Sequence, residues 1–158
     1  MARLDYQIYS APLFTRPSDT TQYAATDLLA NSTTAGSVVA LVFSTPSVPF
    51  RVVSARVVKS ATSITSFTPT LYLYSSAPTF GAGDNSAPAP SNAGLLGVLP
   101  MANALAGTSH AVAWSTSTTT AFPVYGGGTI YGFIVPGGTY TPASAETFTV
   151  SITAETYY

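Results

Sequence analysis

Apolar and polar residues alternate along residues 146–153 and, less regularly, along residues 50–59. An alternation with a period of two is the pattern of a β-strand that buries one face and exposes the other. In the second segment, Ser54 and Arg56 occupy the positions predicted to face solvent. The residues predicted to face the core are Phe148, Val150 and Ile152 in the first segment and Val53, Ala55 and Val57 in the second.

Short segments rich in β-branched and aromatic residues recur through the rest of the chain, separated by clusters of glycine, proline, serine and threonine. The segments predict strands and the clusters predict turns. Residues 23–30 could form a helical turn or a strand, and residues 101–107 could form one helical turn. The pattern favours an all-β single domain, an antiparallel jelly roll or β-sandwich of about eight short strands. An immunoglobulin-like sandwich is the alternative, but the chain lacks the cysteines that frame that fold.

The N-terminal segment predicts either a first strand or an extended arm. Leu4, Tyr6 and Ile8 alternate with other residues, as in a strand. Two prolines and a polar run follow, which interrupt regular structure. We therefore predict an arm or first strand over residues 1–19 and the β-domain over residues 20–158. The N-terminus lacks the apolar stretch of a signal peptide, and we expect no membrane-spanning segment in the chain.

One predicted strand has no polar face, because Leu71, Tyr72, Leu73 and Tyr74 follow one another directly. In a two-layer domain the core covers only one face of such a strand, so the other face needs a second cover. That cover is either another subunit or the long loop over residues 76–94, which is rich in proline and glycine. Loops of this length in compact domains are usually functional or disordered.

Charged residues make up only 7% of the chain, against about 25% in typical domains, and the formal net charge is −1. A free monomer with so few charges has little protection against association, so we infer that much of the surface contacts other protein. The alternative is a monomer coated with serine and threonine. Five basic residues dispersed along the chain do not favour nucleic-acid binding, and the absence of cysteine excludes disulfides and thiolate metal sites.

Few residues could carry catalysis. His110 is the only histidine, and although it follows Ser109 directly, adjacency in sequence does not create the geometry of a nucleophile and its base. A glycosidase would need a pair of carboxylates. The available carboxylates have no spacing that favours such a pair: Asp27, Asp84, Glu146 and Glu155. We therefore expect no enzymatic activity, no cofactor and no metal site.

Residues 81–85, GAGDN, resemble a fragment of a calcium-binding loop. The alternating oxygen ligands and the terminal glutamate of such a loop are missing. We instead interpret Asp84 and Asn85 as residues that bond their own backbone in an Asx turn. The three glycines at 126–128 precede no lysine and therefore predict a turn rather than a phosphate site.

Four segments follow one another along the chain: SARVVKS at 54–60, LYLYSSAPT at 71–79, GDNS at 83–86 and YTPASAETF at 140–148. Together they resemble a pattern found in small structural proteins of tailed phages. In that family the order is A-R-L-x-K-S, then L-x-L-[FY]-x-x-x-P, then G-D-N, and the fourth segment is similar to the closing segment of the family. The resemblance extends over about residues 23–153, and the chain departs from the pattern in a longer proline-rich run at 86–92.

The resemblance implies a virion protein, and within that class a capsid decoration, or cement, protein with a jelly-roll fold on the outer surface of the head shell. It implies the major capsid protein as a partner, self-association as a dimer or trimer, and synthesis in the host cytoplasm. We expect neither nucleic acid nor membrane as a partner. The residues predicted to contact other protein are Tyr6, Ile8, Tyr9, Phe14 and Arg16 in the N-terminal segment and Tyr72, Tyr74, Phe80, Asp84 and Asn85 in the strand and loop that follow residue 70.

An alternative function rests on the aromatic residues, which make up 12% of the chain. Tyrosine is enriched at protein interfaces, but an exposed aromatic platform could also stack on sugars. Trp114 together with Tyr125 or Tyr131 is the candidate platform. On this alternative, the protein is a glycan- or receptor-binding module of a phage tail fibre or tip.

Overall fold

The computed structural model describes residues 4–91, 93–115, 122–124 and 128–157. In this part of the chain eleven strands form two antiparallel sheets, and the helical element is a single 3-10 turn, Ala35–Ser37. No helix among the described residues is long and apolar enough to cross a membrane. The two sheets enclose a common hydrophobic core, which confirms the predicted all-β sandwich.

The first sheet, which we call the front sheet, contains the two strands whose sequences alternate between apolar and polar residues. Its members are β1 (Leu4–Ser10), β2 (Phe14–Thr15), β4 (Phe50–Lys59), β7 (Asn103–Ala106), β8 (Ala111–Trp114), β9 (Phe122–Val124) and β11 (Thr147–Tyr157). The strand order is β1-β11-β4-β8-β7, with β2 paired to β11 and β9 paired to β4. The N-terminal segment is thus a strand along Leu4–Ser10, paired with β11 over its whole length.

The second sheet, which we call the back sheet, consists of β3 (Leu41–Ser44), β5 (Thr70–Tyr74), β6 (Leu95–Pro100) and β10 (Thr129–Val135). Its strand order is β3-β10-β5-β6, and every pairing is antiparallel. At Gly132 in β10 the neighbouring strand approaches closely: a Cβ at this position would lie 2.7 Å from the carbonyl oxygen of Tyr72.

The core lies between the inner faces of the two sheets. Phe148, Val150 and Ile152 of β11 are at most 1% exposed, as their alternation predicted. The back sheet contributes Leu71 and Leu73, which are fully buried. Because successive residues of a strand point to opposite faces, the residues between these core positions must lie on the outer faces.

Strand β4 contains a β-bulge that its sequence pattern did not predict. Ser54 pairs with Thr153, but Val52 pairs with Ala154, so Val53 is an extra residue with no partner in the ladder. Phe50 and Val52 therefore point inward at even positions, whereas Ala55, Val57 and Lys59 point inward at odd positions. The prediction was correct for Ala55 and Val57 and wrong for Val53, since the alternation reverses across the bulge.

Two further local predictions differ from the structure. Residues 101–107 contain strand β7 instead of a helical turn, because pairing with β8 overrides the weak helical preference of an alanine-rich segment. Residues 23–30 form neither a helix nor a strand. Their one ladder contact is an isolated bridge between Leu29 and Ile134, which ties this segment to β10.

The outer face of the back sheet is covered by the protein's own loops. Leu28 and Ala30 from the segment before β3, and Phe80 from the loop after β5, pack against Tyr74 and Phe133. Tyr74 is consequently only 1% exposed. The outer face of this apolar strand was predicted to be covered either by another subunit or by the long loop. Over Tyr74, the structure shows the chain's own loops as the cover. The front sheet differs, since Tyr6, Ile8 and Leu105 on its outer face are exposed.

Candidate interaction surface

The outer face of the front sheet is built from residues that stand directly opposite one another on neighbouring strands. Their side chains form rows across the sheet because opposed residues of antiparallel strands point to the same side. From one end of the sandwich to the other, the rows are Tyr6–Glu155–Arg51, then Ile8–Thr153–Ser54, then Ser10–Ser151–Arg56–Trp114–Asn103, then Thr149–Val58–Val112–Leu105. We call this surface the front face.

The front face combines exposed apolar side chains with small hydroxyl residues. Ile8 is 71% exposed, Leu105 is 63% exposed and Tyr6 is 59% exposed. Between them lie threonine and serine residues of β11 that are half-buried by their neighbours. A surface with apolar side chains and few charges can be desolvated at a lower free-energy cost than an ordinary charged surface, which suits it to contact with another protein.

The charges of the front face are few. Arg51 and Glu155 form an ion pair with 3.0 Å between Nη2 and Oε2, although the guanidinium is not aligned as a hydrogen-bond donor to that oxygen. The hydroxyl of Tyr6 donates to the other carboxylate oxygen of Glu155 at 3.2 Å. Arg56 is exposed near the middle of the face. No other charged side chain belongs to the four rows.

A second candidate surface is an apolar groove of about 300 Å³ on the back sheet side. Tyr72 and Phe133 line its floor, and residues 87–90 of the proline-rich loop form one wall. The rings of Tyr72 and Phe133 are stacked with centroids 4.8 Å apart, so the floor is a continuous aromatic surface.

The structure separates the predicted contact residues into three groups. Tyr6 and Ile8 are exposed on the front face. Half-buried residues form the second group: Tyr9, Phe14, Tyr72, Phe80 and Asn85. Arg16, Tyr74 and Asp84 lie in the interior, at 1–4% exposure, so they hold the fold together and offer no surface to a partner.

Arg16 and Asp84 form a buried ion pair that joins the N-terminal segment to the long loop. The guanidinium Nη2 lies 3.0 Å from Asp84 Oδ2 and 2.9 Å from Asp19 Oδ1. Asp84 Oδ1 also accepts hydrogen bonds from the Tyr23 hydroxyl and from the backbone N–H of Ala30, both at 2.7 Å. The Asx-turn interpretation of Asp84 was therefore wrong, because its carboxylate bonds distant residues and anchors the loop.

Burial and hydrogen bonding shift the pKa values of Arg16, Asp19 and Asp84 in opposing directions. Burial disfavours the charged form of Arg16, but the hydrogen bonds to Asp19 and Tyr23 together with the nearby charge of Asp84 outweigh it, so the pKa of Arg16 is raised. Burial raises the pKa of Asp84, against the effect of the hydrogen bonds from Ala30 and Tyr23. The hydrogen bond from Arg16 lowers the pKa of the more exposed Asp19 below its ordinary value of 3.8.

A second buried ion pair joins β4 to the start of β11. Lys59 Nζ lies 2.7 Å from Glu146 Oε1, and both side chains are fully buried. The other oxygen of Glu146 accepts hydrogen bonds from the Tyr140 hydroxyl and from the backbone N–H of Ala143. The Lys59 ammonium also lies 5.2 Å from the ring centres of Phe67 and Tyr140. This carboxylate is therefore engaged in a structural pair.

The buried pair formed by Lys59 and Glu146 was not predicted from the sequence, although the position of Lys59 carried a signal. Lys59 occupies an odd position of β4, the same parity as Val57, and this parity predicted an inward side chain. No comparable signal marked Leu105, because the segment around it was interpreted as a helical turn. Its exposure on the front face follows from the pairing of β7 with β8.

The remaining residues considered for chemistry are dispersed. His110 is exposed in the turn between β7 and β8, and Ser109 Oγ lies 3.3 Å from its Nδ1. Trp114 lies on the front face, whereas Tyr131 packs on the outer face of the back sheet, so these two residues do not form one aromatic platform. Tyr125 lies outside the described residues. Within the described ranges, no group of three histidine, aspartate or glutamate residues is placed to hold a metal ion.

Comparisons with known proteins give weak structural neighbours. No family model and no curated protein matches the chain. Among solved structures, a chain of the acidic stable capsid structure of Helicobacter pylori bacteriophage KHP30 is similar over 100% of both chains, with 12% identity and a TM-score of 0.33. The globular domain of zebrafish complement 1qA is similar over 92% of this chain and 94% of its own, with 12% identity and a TM-score of 0.32.

A third neighbour is a chain of the infectious bursal disease virus Gt strain structure. It is similar over 97% of this chain and 39% of its own length, with 10% identity and a TM-score of 0.22. The neighbours thus come from a phage capsid, a complement protein and a virus. At these identities and TM-scores the similarities carry no functional argument.

Proposed function

We propose that this protein is a phage virion structural protein that decorates the outside of the head shell and stabilises it. Support for the proposal comes from the resemblance of four sequence segments to small structural proteins of tailed phages. The low charge content is consistent with it, because a surface with few charges can be buried against many neighbours. The partner on this proposal is the major capsid protein.

The observation that carries the proposal is the contrast between the two outer faces of the sandwich. The chain covers the outer face of its back sheet with its own loops, and Tyr74 is buried there. On the front face, Ile8, Tyr6 and Leu105 remain exposed. An exposed apolar sheet face of this kind is a characteristic protein-interaction surface. We therefore propose the front face as the surface that rests on the shell.

Stabilising a shell in this way requires no chemical reaction. A protein that binds the assembled shell, and does not bind the separated subunits, shifts the equilibrium towards the assembled state by mass action. Many copies of a modest interface add to a large total. Self-association of the protein as a dimer or trimer would add further contacts, since bivalent attachment raises the effective concentration of the second site.

The proposal is tested by adding the purified protein to heads that were assembled without it. We expect saturable binding at a fixed number of sites per shell, observed by cryo-microscopy. We also expect heat disruption of the heads to occur at a higher temperature when the sites are filled. If wild-type protein does not bind the heads, or binds without changing their stability, decoration as the function is refuted. Binding to a glycan array instead of the heads would favour the receptor-binding alternative.

A pair of matched substitutions tests the contribution of β1. Ile8→Ser removes an exposed isoleucine from the front face, and Ile64→Ser removes one from the connection between β4 and β5. Because both side chains are exposed, neither substitution should lower stability appreciably. We expect Ile8→Ser to lower occupancy on the heads and Ile64→Ser to leave it unchanged. Equal occupancy for both variants would exclude Ile8 from the contact. Deletion of residues 1–19 is a poor test, because it would also remove the buried Arg16.

A further inference from the structure

Arg56 differs from the other cations of the described chain in having no carboxylate partner. Arg16 is paired with Asp19 and Asp84, Arg51 with Glu155, and Lys59 with Glu146. Among the described residues, which include every aspartate and glutamate of the sequence, none places a carboxylate oxygen within 4.0 Å of Arg56. Of the four lysine and arginine side chains that the structure describes, Arg56 is thus the one that is exposed without a carboxylate partner.

Arg56 lies at the centre of the front face, among side chains that carry no charge. It projects from β4, the central strand of the front sheet, with Ser151 opposite on one side and Trp114 opposite on the other. The adjacent row carries Val58 and Val112. A guanidinium surrounded by apolar and hydroxyl side chains would lose its water when the surface around it is covered. It would then need a negatively charged acceptor from the covering molecule.

We propose that the front face docks on a protein surface that presents a carboxylate to Arg56, with apolar residues around that carboxylate to contact Trp114 and Leu105. On the function proposed above, on which this inference rests, the covering molecule is the shell protein. Arginine suits this role because its planar guanidinium can donate two parallel hydrogen bonds to one carboxylate. Arg56 would then set the position of the protein on the shell, and the apolar residues would supply the buried area.

A second copy of this chain is disfavoured as the occupant of the front face. In a two-fold face-to-face contact centred on Arg56, the same patch of both copies is used, so two unpaired guanidinium groups would meet. The one carboxylate on this face, that of Glu155, is already held by Arg51 and by the hydroxyl of Tyr6. Like charges brought together at an interface oppose association. The charge pattern therefore favours a partner with the opposite sign.

The experiment compares three variants on heads assembled without the protein. Arg56→Gln removes one positive charge from the front face, and Arg56→Lys keeps the charge. Thr79→Glu is the control, because it changes the net charge by the same amount at an exposed position in the loop that covers the back sheet. Apparent affinity is measured by quantifying bound protein at about 0.05 M and about 0.5 M NaCl, since salt screens exposed charge pairs. Thermal unfolding of each free variant checks that the fold is intact.

We expect Arg56→Gln to weaken binding by about tenfold or more at low salt, Arg56→Lys to weaken it less, and Thr79→Glu to have no effect. Wild-type affinity should fall with added salt, and the affinity of Arg56→Gln should change little. If Arg56→Gln binds the heads with the affinity of the wild type, this inference is overturned while the proposed function stands. The same holds if only Thr79→Glu loses affinity. A loss that is equal at both salt concentrations also overturns it. Failure of the wild type to bind the heads refutes the proposed function and this inference with it.

Discussion

The buried pair of Lys59 and Glu146 gives the most direct test of what holds the sandwich together. The substitution Glu146→Gln keeps the size of the side chain and removes its charge, so it creates no cavity. Both side chains of the pair are fully buried and lie 2.7 Å apart. After the substitution, the ammonium of Lys59 faces the aromatic rings of Phe67 and Tyr140 without a compensating negative charge.

The expected magnitude follows from the cost of leaving one buried charge unpaired. Removing one partner of a buried ion pair costs about 3–5 kcal/mol. In a domain of 158 residues each kcal/mol lowers the melting temperature by about 2–4 °C, so Glu146→Gln should lower it by about 6–20 °C. A whole domain of this kind is stable by about 5–15 kcal/mol, so the variant should still fold at room temperature.

The assay is urea and thermal unfolding, followed by circular dichroism, for a double-mutant cycle. Lys59→Met in the Glu146→Gln background removes the uncompensated charge, so the double variant should lose less stability than the sum of the two single variants, by about 1–3 kcal/mol. Asp19→Asn is the control, because it neutralises a carboxylate that is 36% exposed in its ion pair with Arg16. Additive losses, or a loss below about 1 kcal/mol for Glu146→Gln, would refute the reasoning.

Two further predictions concern backbone packing and acid stability. Gly132→Ala should destabilise the fold by about 1–3 kcal/mol, because the added Cβ would lie 2.7 Å from a backbone carbonyl oxygen of β5. Gly36→Ala, where nothing lies within 4 Å, should change stability little, and equal unfolding midpoints for the two variants would contradict this account. The second prediction follows from the lowered pKa of Asp19: its pair with Arg16 stabilises the fold above about pH 4 and is lost as the pH falls through the lowered value. In the Asp19→Asn variant, the melting temperature should therefore fall less steeply as the pH is lowered below about 4. An equally steep fall in the variant and the wild type would exclude a contribution of the Asp19–Arg16 pair to acid stability.

The architecture was predictable because the strongest strands carry their pattern in adjacent residues. Phe148, Val150 and Ile152 alternate with hydroxyl residues, and this local pattern determines which side is buried whatever the strand pairs with. Strand β7 was missed because its four residues have no such pattern and are held by pairing with β8. Short strands of this kind depend on tertiary contacts more than on their own sequence.

The candidate site was less predictable, because it depends on contacts between residues far apart in the chain. Arg16 and Asp84 are separated by 68 positions, and nothing near either residue in the sequence shows that they meet inside the protein. Both were assigned to a contact surface because they belong to the N-terminal segment and to the long loop. Arg56 shows the opposite case. Its outward direction was predicted from alternation, but its lack of a partner became visible only when the positions of the carboxylates were known.

The extra residue in β4 lets the chain change its length at this point without changing the outside of the protein. If Val53 were deleted in evolution, Ser54 would follow Val52 directly and the strand would alternate regularly, so Val52 and Ala55 would still point inward and Arg56 outward. A deletion within a regularly paired strand would instead turn the residues beyond it to the opposite side. Lineages that carry this fold could therefore lose or regain one codon at the bulge and keep the same binding surface.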